Sequence, residues 1–267
     1  MNNKYLTVLV LFLISSLMLT IVSATSDTES QNSNQEFKVG FDPAFPPFGY
    51  KDNNGDYTGF DIELAKEVCK RNNWTFSPQL ITDWNSKDSQ LNSGTFDCIW
   101  SEFSINGKED QYTWSNAYYN NKEVFIVKSD SGIKSMDDIK NKNLEIPEGS
   151  SFIEDNKTIA DNFASVKEVK DYNTTFTDLD SGKCDIILVD IGFAKYQMKE
   201  NFNNDEFNIL DEPVDVNQYG VAFKKGNDEL RDQVQTTLDE MYKDGTVEKI
   251  AQKYSDYGIV DELIVPE

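Results

Sequence analysis

Two ten-residue stretches, LNSGTFDCIW at 91–100 and LDSGKCDIIL at 179–188, share the pattern Leu-x-Ser-Gly-x-x-Asp followed by an apolar run. Each reads as the C-terminus of a helix, a glycine stop and a buried strand. Helices commonly end on a left-handed residue that glycine adopts without steric cost, and strands covered on both faces are continuously apolar. Two copies of one helix–stop–strand unit imply two lobes of similar architecture. From Phe37 onward short apolar runs alternate with helical patterns, which is the rhythm of strand–helix–strand units. FKVGF at 37–41 and WTFSPQLI at 74–81 read as strands. DIELAKEVCKR sets Ile62, Leu64, Ala65, Val68 and Cys69 at helical spacing, with Asp61 at its start and Lys70 and Arg71 at its end, as the helix dipole prefers. Leu230, Val234, Leu238 and Met241 mark a second amphipathic helix near the C-terminus.

In open α/β sheets, ligands collect at the C-terminal ends of strands, so the residues just after each repeat are where function is sought. After the first stand Ser101, Glu102, Phe103 and Ser104, then the loop FSINGKED with Lys108; after the second, Asp190 ends the strand where a helix starts. Taken singly, Asp190 reads equally as a helix N-cap, Ser104 as an exposed strand end and Lys108 as a solvated loop lysine. Taken together, a carboxylate and an ammonium on the strand ends of two facing lobes suit a zwitterion, with Asp190 toward an α-ammonium and Lys108 toward an α-carboxylate.

The formal net charge of −22 and the lack of any basic run argue against a nucleic-acid surface. The chain has no histidine, which excludes Ser–His and Cys–His catalysis. Cys69, Cys98 and Cys184 are an odd, widely spaced set without metal-ligand spacing and read as small core residues. Tyr5–Ser26 is uncharged, follows Lys4 and ends in small residues, with Val22-Ser23-Ala24 as a cleavage-site pattern. Residues 1–24 therefore read as a signal peptide or an N-terminal anchor, and 25–36 as a polar linker.

The ordered motifs from Phe37 to about Tyr257 carry a family resemblance. VGFDPAFPPFGYKDNNGDYTGFDIELAKEV, LNSGTFDCIW, WSNAYY, IKSMDDIKNKNLEIPEGSS, LDSGKCDIILVD and NQYGVAFKKGNDELRDQV are similar to the amino-acid-binding solute receptors of ABC importers, of the polar-amino-acid type. The resemblance implies an α/β protein of two Rossmann-like lobes with a two-stranded hinge, the type 2 periplasmic-binding-protein fold. Lobe 1 would comprise 37–120 plus 221–267 and lobe 2 121–220, with the hinge near Tyr118–Val124 and Val216–Val221. Carried over residue by residue, the α-ammonium would meet Asp190, the Ser104 hydroxyl and the Glu102 carbonyl. The α-carboxylate would meet Lys108, the Ser104 amide and the amides of Gly149, Ser150 and Ser151 at a helix start. Phe45 and Trp84 would sandwich the side chain, and Asp42 would lie at the polar end.

Two departures from the family pattern stand out. The family usually has Thr-x-x-Arg in the loop where this chain has NGK, one residue shorter, so a compact point charge replaces a two-pronged guanidinium. Glu102 occupies a position that is commonly Gly or Ser, and pointing inward it would favour a cationic or amine-rich ligand. The resemblance implies an exported monomer that binds an amino acid, serves the permease subunits of an ABC transporter, uses no cofactor or metal and is no enzyme. The alternatives are a cyclic-acid dehydratase on the same scaffold and a stand-alone sensory domain; a sensory module is generally followed by further segments, whereas this chain ends at DELIVPE.

Overall fold

A computed structural model describes residues 35–266 apart from Gly149, Ser151 and Asp171. The signal or anchor expected at 1–24 and most of the linker expected at 25–36 lie outside the described residues. Among those described, no helix is long and apolar enough to cross a membrane.

The apolar runs form two main sheets. The first has the order β5 (Thr75–Leu80), β1 (Glu36–Phe41), β6 (Cys98–Ile99), β14 (Ala222–Phe223), β7 (Thr113–Trp114). Strand β1 runs parallel to both its neighbours, while β14 is antiparallel to β6 and β7. The second has the order β10 (Ser165–Val169), β9 (Asn143–Pro147), β11 (Ile186–Asp190), β8 (Tyr119–Lys128), β12 (Phe207–Ile209), and β13 (Asp215–Tyr219) also pairs with β8. A small sheet of β2 (Ala44–Phe45), β3 (Gly49–Lys51) and β4 (Tyr57–Thr58) accompanies the first.

Both repeats fold as their pattern predicts. Helix α2 (Lys87–Ser93) closes on Gly94 at φ 78° before β6, and α3 (Tyr172–Asp180) is followed by Gly182 at φ 74° before β11. The strand ends that follow, at Ser101–Ser104 and Asp190, come from different sheets. The chain passes between the sheets from β7 to β8 and again from β13 to β14, and the two passages are tied together: Tyr118 N donates to the Tyr219 carbonyl (3.0 Å), Ser115 N to the Val221 carbonyl (3.0 Å), and Val221 N to Ser115 Oγ (2.8 Å). A third segment joins them, because Asn120 N donates to the Glu262 carbonyl and Ile264 N to the Tyr118 carbonyl.

Helix α1 (Phe60–Arg71) buries Ile62, Leu64, Ala65, Val68 and Cys69, the stripe its spacing predicts. Its first amides find main-chain partners rather than a side-chain cap: Phe60 N donates to Pro47 O and Asp61 N to Phe48 O. The amphipathic helix α5 (Asp228–Lys243) and α6 (Thr246–Gln252) complete this core, and helix α4 (Ile191–Glu200) starts directly from β11. The three cysteines are buried and unpaired, with the Cys69 and Cys184 thiols pushed up to about 12 by burial.

Gly59 fixes the start of α1. Its φ is 122°, and a Cβ there would stand 2.1 Å from the Phe48 carbonyl oxygen that accepts from Asp61 N. Gly59→Ala is expected to lower stability by roughly 2–4 kcal/mol in urea unfolding at unchanged slope; a loss below about 1 kcal/mol would show that this junction is soft.

Candidate functional site

Between the strand ends of the two sheets lies a cavity of about 260 Å³. Asp42, Phe45, Trp84, Glu102, Ser104, Lys108, Ser150 and Asp190 all line it. Those are the described members of the residues singled out from sequence; Gly149 and Ser151 lie outside the described residues.

Asp190 is the last residue of β11 and occupies the N-cap position of α4, yet its side chain caps nothing. Its Oδ1 accepts from Asn121 Nδ2 at 2.6 Å and its Oδ2 from the Tyr219 hydroxyl at 2.9 Å. Burial raises its carboxyl to about 6 against the lowering effect of these two hydrogen bonds. The N-cap alternative is thus decided against by the side chain's own partners. Asn121, on β8, also reaches Asn217 Oδ1 at 3.3 Å, while its own Oδ1 is buried without a partner.

Glu102 lines the cavity from the first sheet's side with a backbone φ of 37°, a left-handed value that costs a non-glycine residue roughly 1–2 kcal/mol. A glycine would take that conformation without the strain that the glutamate bears. Its amide donates to Asp61 Oδ2 at 2.7 Å, and its carboxylate accepts from Ser101 Oγ at 2.7 Å. Burial, then the neighbouring Asp42, Asp61 and Asp190, hold its carboxyl well above the usual range. Asp61, fully buried in the first turn of α1, accepts from the Tyr118 hydroxyl at 2.9 Å and is raised to about 7 by burial.

The FSINGKED loop is a built turn. Lys108 N donates to the Ile105 carbonyl (2.9 Å) around Gly107 at φ 74°, Ile105 N to the Gln218 carbonyl (2.8 Å), and Trp114 Nε1 to the Lys108 carbonyl (3.0 Å). Lys108 is half-buried, with its Nζ 5.7 Å from the centre of the Phe103 ring. The solvated-lysine alternative therefore does not describe it.

Two expectations take a different shape. Phe45 and Trp84 both line the cavity, but Phe45 is stacked on Phe193 (5.0 Å, 28°) and meets the edge of Tyr172 (4.9 Å), so one of its faces is already occupied. Ser150 lines the cavity while its amide donates to the Pro147 carbonyl (3.2 Å) and its hydroxyl accepts from Phe152 N (3.2 Å). The helix start expected at EGSS is a single turn at Phe152–Asp155.

The cavity also includes Lys87, Asn121, Glu123, Tyr172, Asn217 and Tyr219, which the sequence reading missed. A signal existed on the crossing strands: Asn121 and Glu123 are two apart on β8, as are Asn217 and Tyr219 on β13, so each pair shares a face.

Residues 37–257 match the family of bacterial extracellular solute-binding proteins, family 3. The chain belongs to that family. An L-cystine-binding protein of Escherichia coli is 29% identical over 222 residues, covering 81% of each chain. Among solved structures, a substrate-binding protein of an ABC uptake transporter from Streptococcus pneumoniae with bound histidine superposes with a TM-score of 0.76 at 30% identity, covering 82% of this chain and 92% of that one. An ancestral amino-acid-binding protein described as a precursor of cyclohexadienyl dehydratase superposes with a TM-score of 0.73 at 28% identity, covering 82% and 95%. This family 3 protein thus has the two-lobed, type 2 periplasmic-binding-protein fold, and its cavity lies between the lobes.

The raised carboxyls make stability depend on pH in a defined sense. Asp61 and Asp190 ionise near pH 4 in an unfolded chain but at about 7 and about 6 when folded. Across that window the folded state holds protons that the unfolded state has released, so the empty protein loses stability as pH rises from about 4 to 7. Asp61→Asn is expected to remove on the order of 2 kcal/mol of that fall in urea unfolding at pH 5 and 7.5. An unchanged difference between the two pH values would contradict the burial of an ionisable Asp61.

Proposed function

We propose that this chain is the extracytoplasmic receptor of an ABC importer, capturing a free amino acid between its lobes and delivering it to permease subunits in the membrane. The observation that carries the reading is the state of Asp190: a buried carboxylate at a strand end, held by Asn121 and Tyr219 rather than spent on capping α4, in one cavity with Lys108 from the other lobe. Asp190, the Ser104 hydroxyl and the Glu102 carbonyl would take the α-ammonium. Lys108 and the Ser104 amide would take the α-carboxylate. Trp84 and the remaining face of Phe45 would hold the side chain, and Asp42 and Glu102 favour a polar or cationic one. The relatives described as binding L-cystine and histidine support an amino-acid ligand.

Lobe 1 would consist of 37–120 plus 221–267 and lobe 2 of 121–220, closing about the paired passages as a population shift toward the form the ligand binds more tightly. The protein acts outside the cytoplasm, as a monomer, led there by residues 1–24 as a signal or an anchor. It performs binding alone. The chain has no histidine to serve as a general acid or base near neutral pH.

Calorimetry with the twenty L-amino acids and L-cystine is expected to show at least one binding at micromolar Kd, about 8 kcal/mol, with binding lost in Asp190→Ala. Because an ammonium favours ionised Asp190, affinity should weaken as pH falls below about 6. Binding by none of them, or binding indifferent to Asp190→Ala, would sink the reading; turnover of prephenate or arogenate would replace it with the dehydratase.

A further inference from the structure

Lys87 lines the cavity together with Lys108 and the largely exposed Lys170, and the zwitterion reading gives it no work. It opens α2, three residues after Trp84, and its side chain is only 15% exposed. Its Nζ stands 5.4 Å from the centre of the Trp84 ring and 5.7 Å from that of Phe103. Lys108 Nζ also stands 5.7 Å from the Phe103 ring, approaching from the 105–108 turn. Two ammoniums from separate elements thus gather on one buried aromatic ring at the edge of the same cavity.

For Lys87 the two rings alone are a weak reason for this position. A cation over an aromatic face gains about 0.5–1 kcal/mol at exposed sites and about 2 when desolvated, while two like charges converging on one ring repel. The neighbouring carboxylate does little to relieve Lys87: Asp88 Oδ2 is 3.9 Å away, at the outer limit of an ion pair, and the other oxygen of Asp88 accepts from the Tyr112 hydroxyl. An anion entering the cavity beside Phe103 would be attracted by both ammoniums.

We propose that Lys87 and Lys108 form a two-point clamp for a single carboxylate, one ammonium to each oxygen. The proposal rests on the amino-acid reading and assigns the second half of its α-carboxylate site. An ammonium is a compact point charge that cannot by itself engage both oxygens in parallel bonds, whereas two of them on different elements can. The pairing also gives a cavity with Asp42, Glu102, Glu123, Glu148 and Asp190 on its walls a positive corner apart from the exposed Lys170, which stands 3.9 Å from Glu148 Oε2, and that corner orients an incoming zwitterion.

The test uses the full chain, with the tightest binder of the amino-acid panel and its α-carboxamide, titrated into wild type, Lys87→Met, Lys108→Met and Lys87→Arg. Each Met variant should shrink the preference for acid over amide by about tenfold, the worth of one charge-assisted bond, while Lys87→Met changes amide affinity by less than about twofold. Lys87→Arg, which keeps the charge, should preserve the preference, and it serves as the folded counterpart should the Met variant unfold. An acid-to-amide ratio untouched by Lys87→Met, equal losses for acid and amide, loss of the ratio in Lys87→Arg, or an effect confined to ligands with a side-chain carboxylate would each overturn the clamp alone. No amino acid binding to wild type would overturn the amino-acid reading and the clamp with it.

Discussion

The antiparallel pairing of β13 with β8 holds the rest of the site in place. Its register sets Tyr219 opposite Tyr119 and Asn217 opposite Asn121, and the two tyrosine rings stack at 5.4 Å. On its other edge β8 pairs with β11, which puts Glu123 opposite Asp190. A strand bonded on both sides brings the Tyr219 hydroxyl and the Asn121 amide to the two oxygens of one carboxylate. A slip of one residue would turn every one of those side chains to the opposite face. The same pairing carries the chain between the lobes, so the element about which they would move also holds the Asp190 carboxylate in the cavity.

On the opposite lobe the organising group is Asp61. Through the Glu102 amide and the Tyr118 hydroxyl it ties the start of α1 to the strand end after β6 and to the approach to β8. That tie helps hold Glu102 in a left-handed backbone conformation with its carboxylate in the cavity. Burial of the Asp61, Glu102 and Asp190 carboxyls costs stability as each ionises. The net charge of −22 spread over the chain is a separate matter of solubility.

Much of this was legible in the sequence, because the repeated Leu-x-Ser-Gly-x-x-Asp unit announces both its strands and the positions where they end. Glu102, Ser104, Lys108 and Asp190 follow from that rule, and the structure gathers them into one cavity. The choice between capping and pocket for Asp190 was not legible, since it depends on Asn121 and Tyr219, which are 69 and 29 residues away in the chain. Lys87 was hidden by its place in an ordinary polar helix, where a lysine is read as solvated. The bond of the Ser150 amide to the Pro147 carbonyl was hidden because a glycine-serine run reads as a helix start. The stacking of Phe45 on Phe193 is a contact between lobes that no local pattern encodes.

The central claim is that Asp190 and the lysine corner hold the two ends of one zwitterion across the lobes. A crystal structure of the protein with its tightest-binding amino acid tests this most directly. The account predicts the α-nitrogen within hydrogen-bonding distance of Asp190 and the α-carboxylate on Lys108, with the lobes closed over both. A ligand bound in the reverse orientation, or held by one lobe with Asp190 still bonded only to Asn121 and Tyr219, would contradict it.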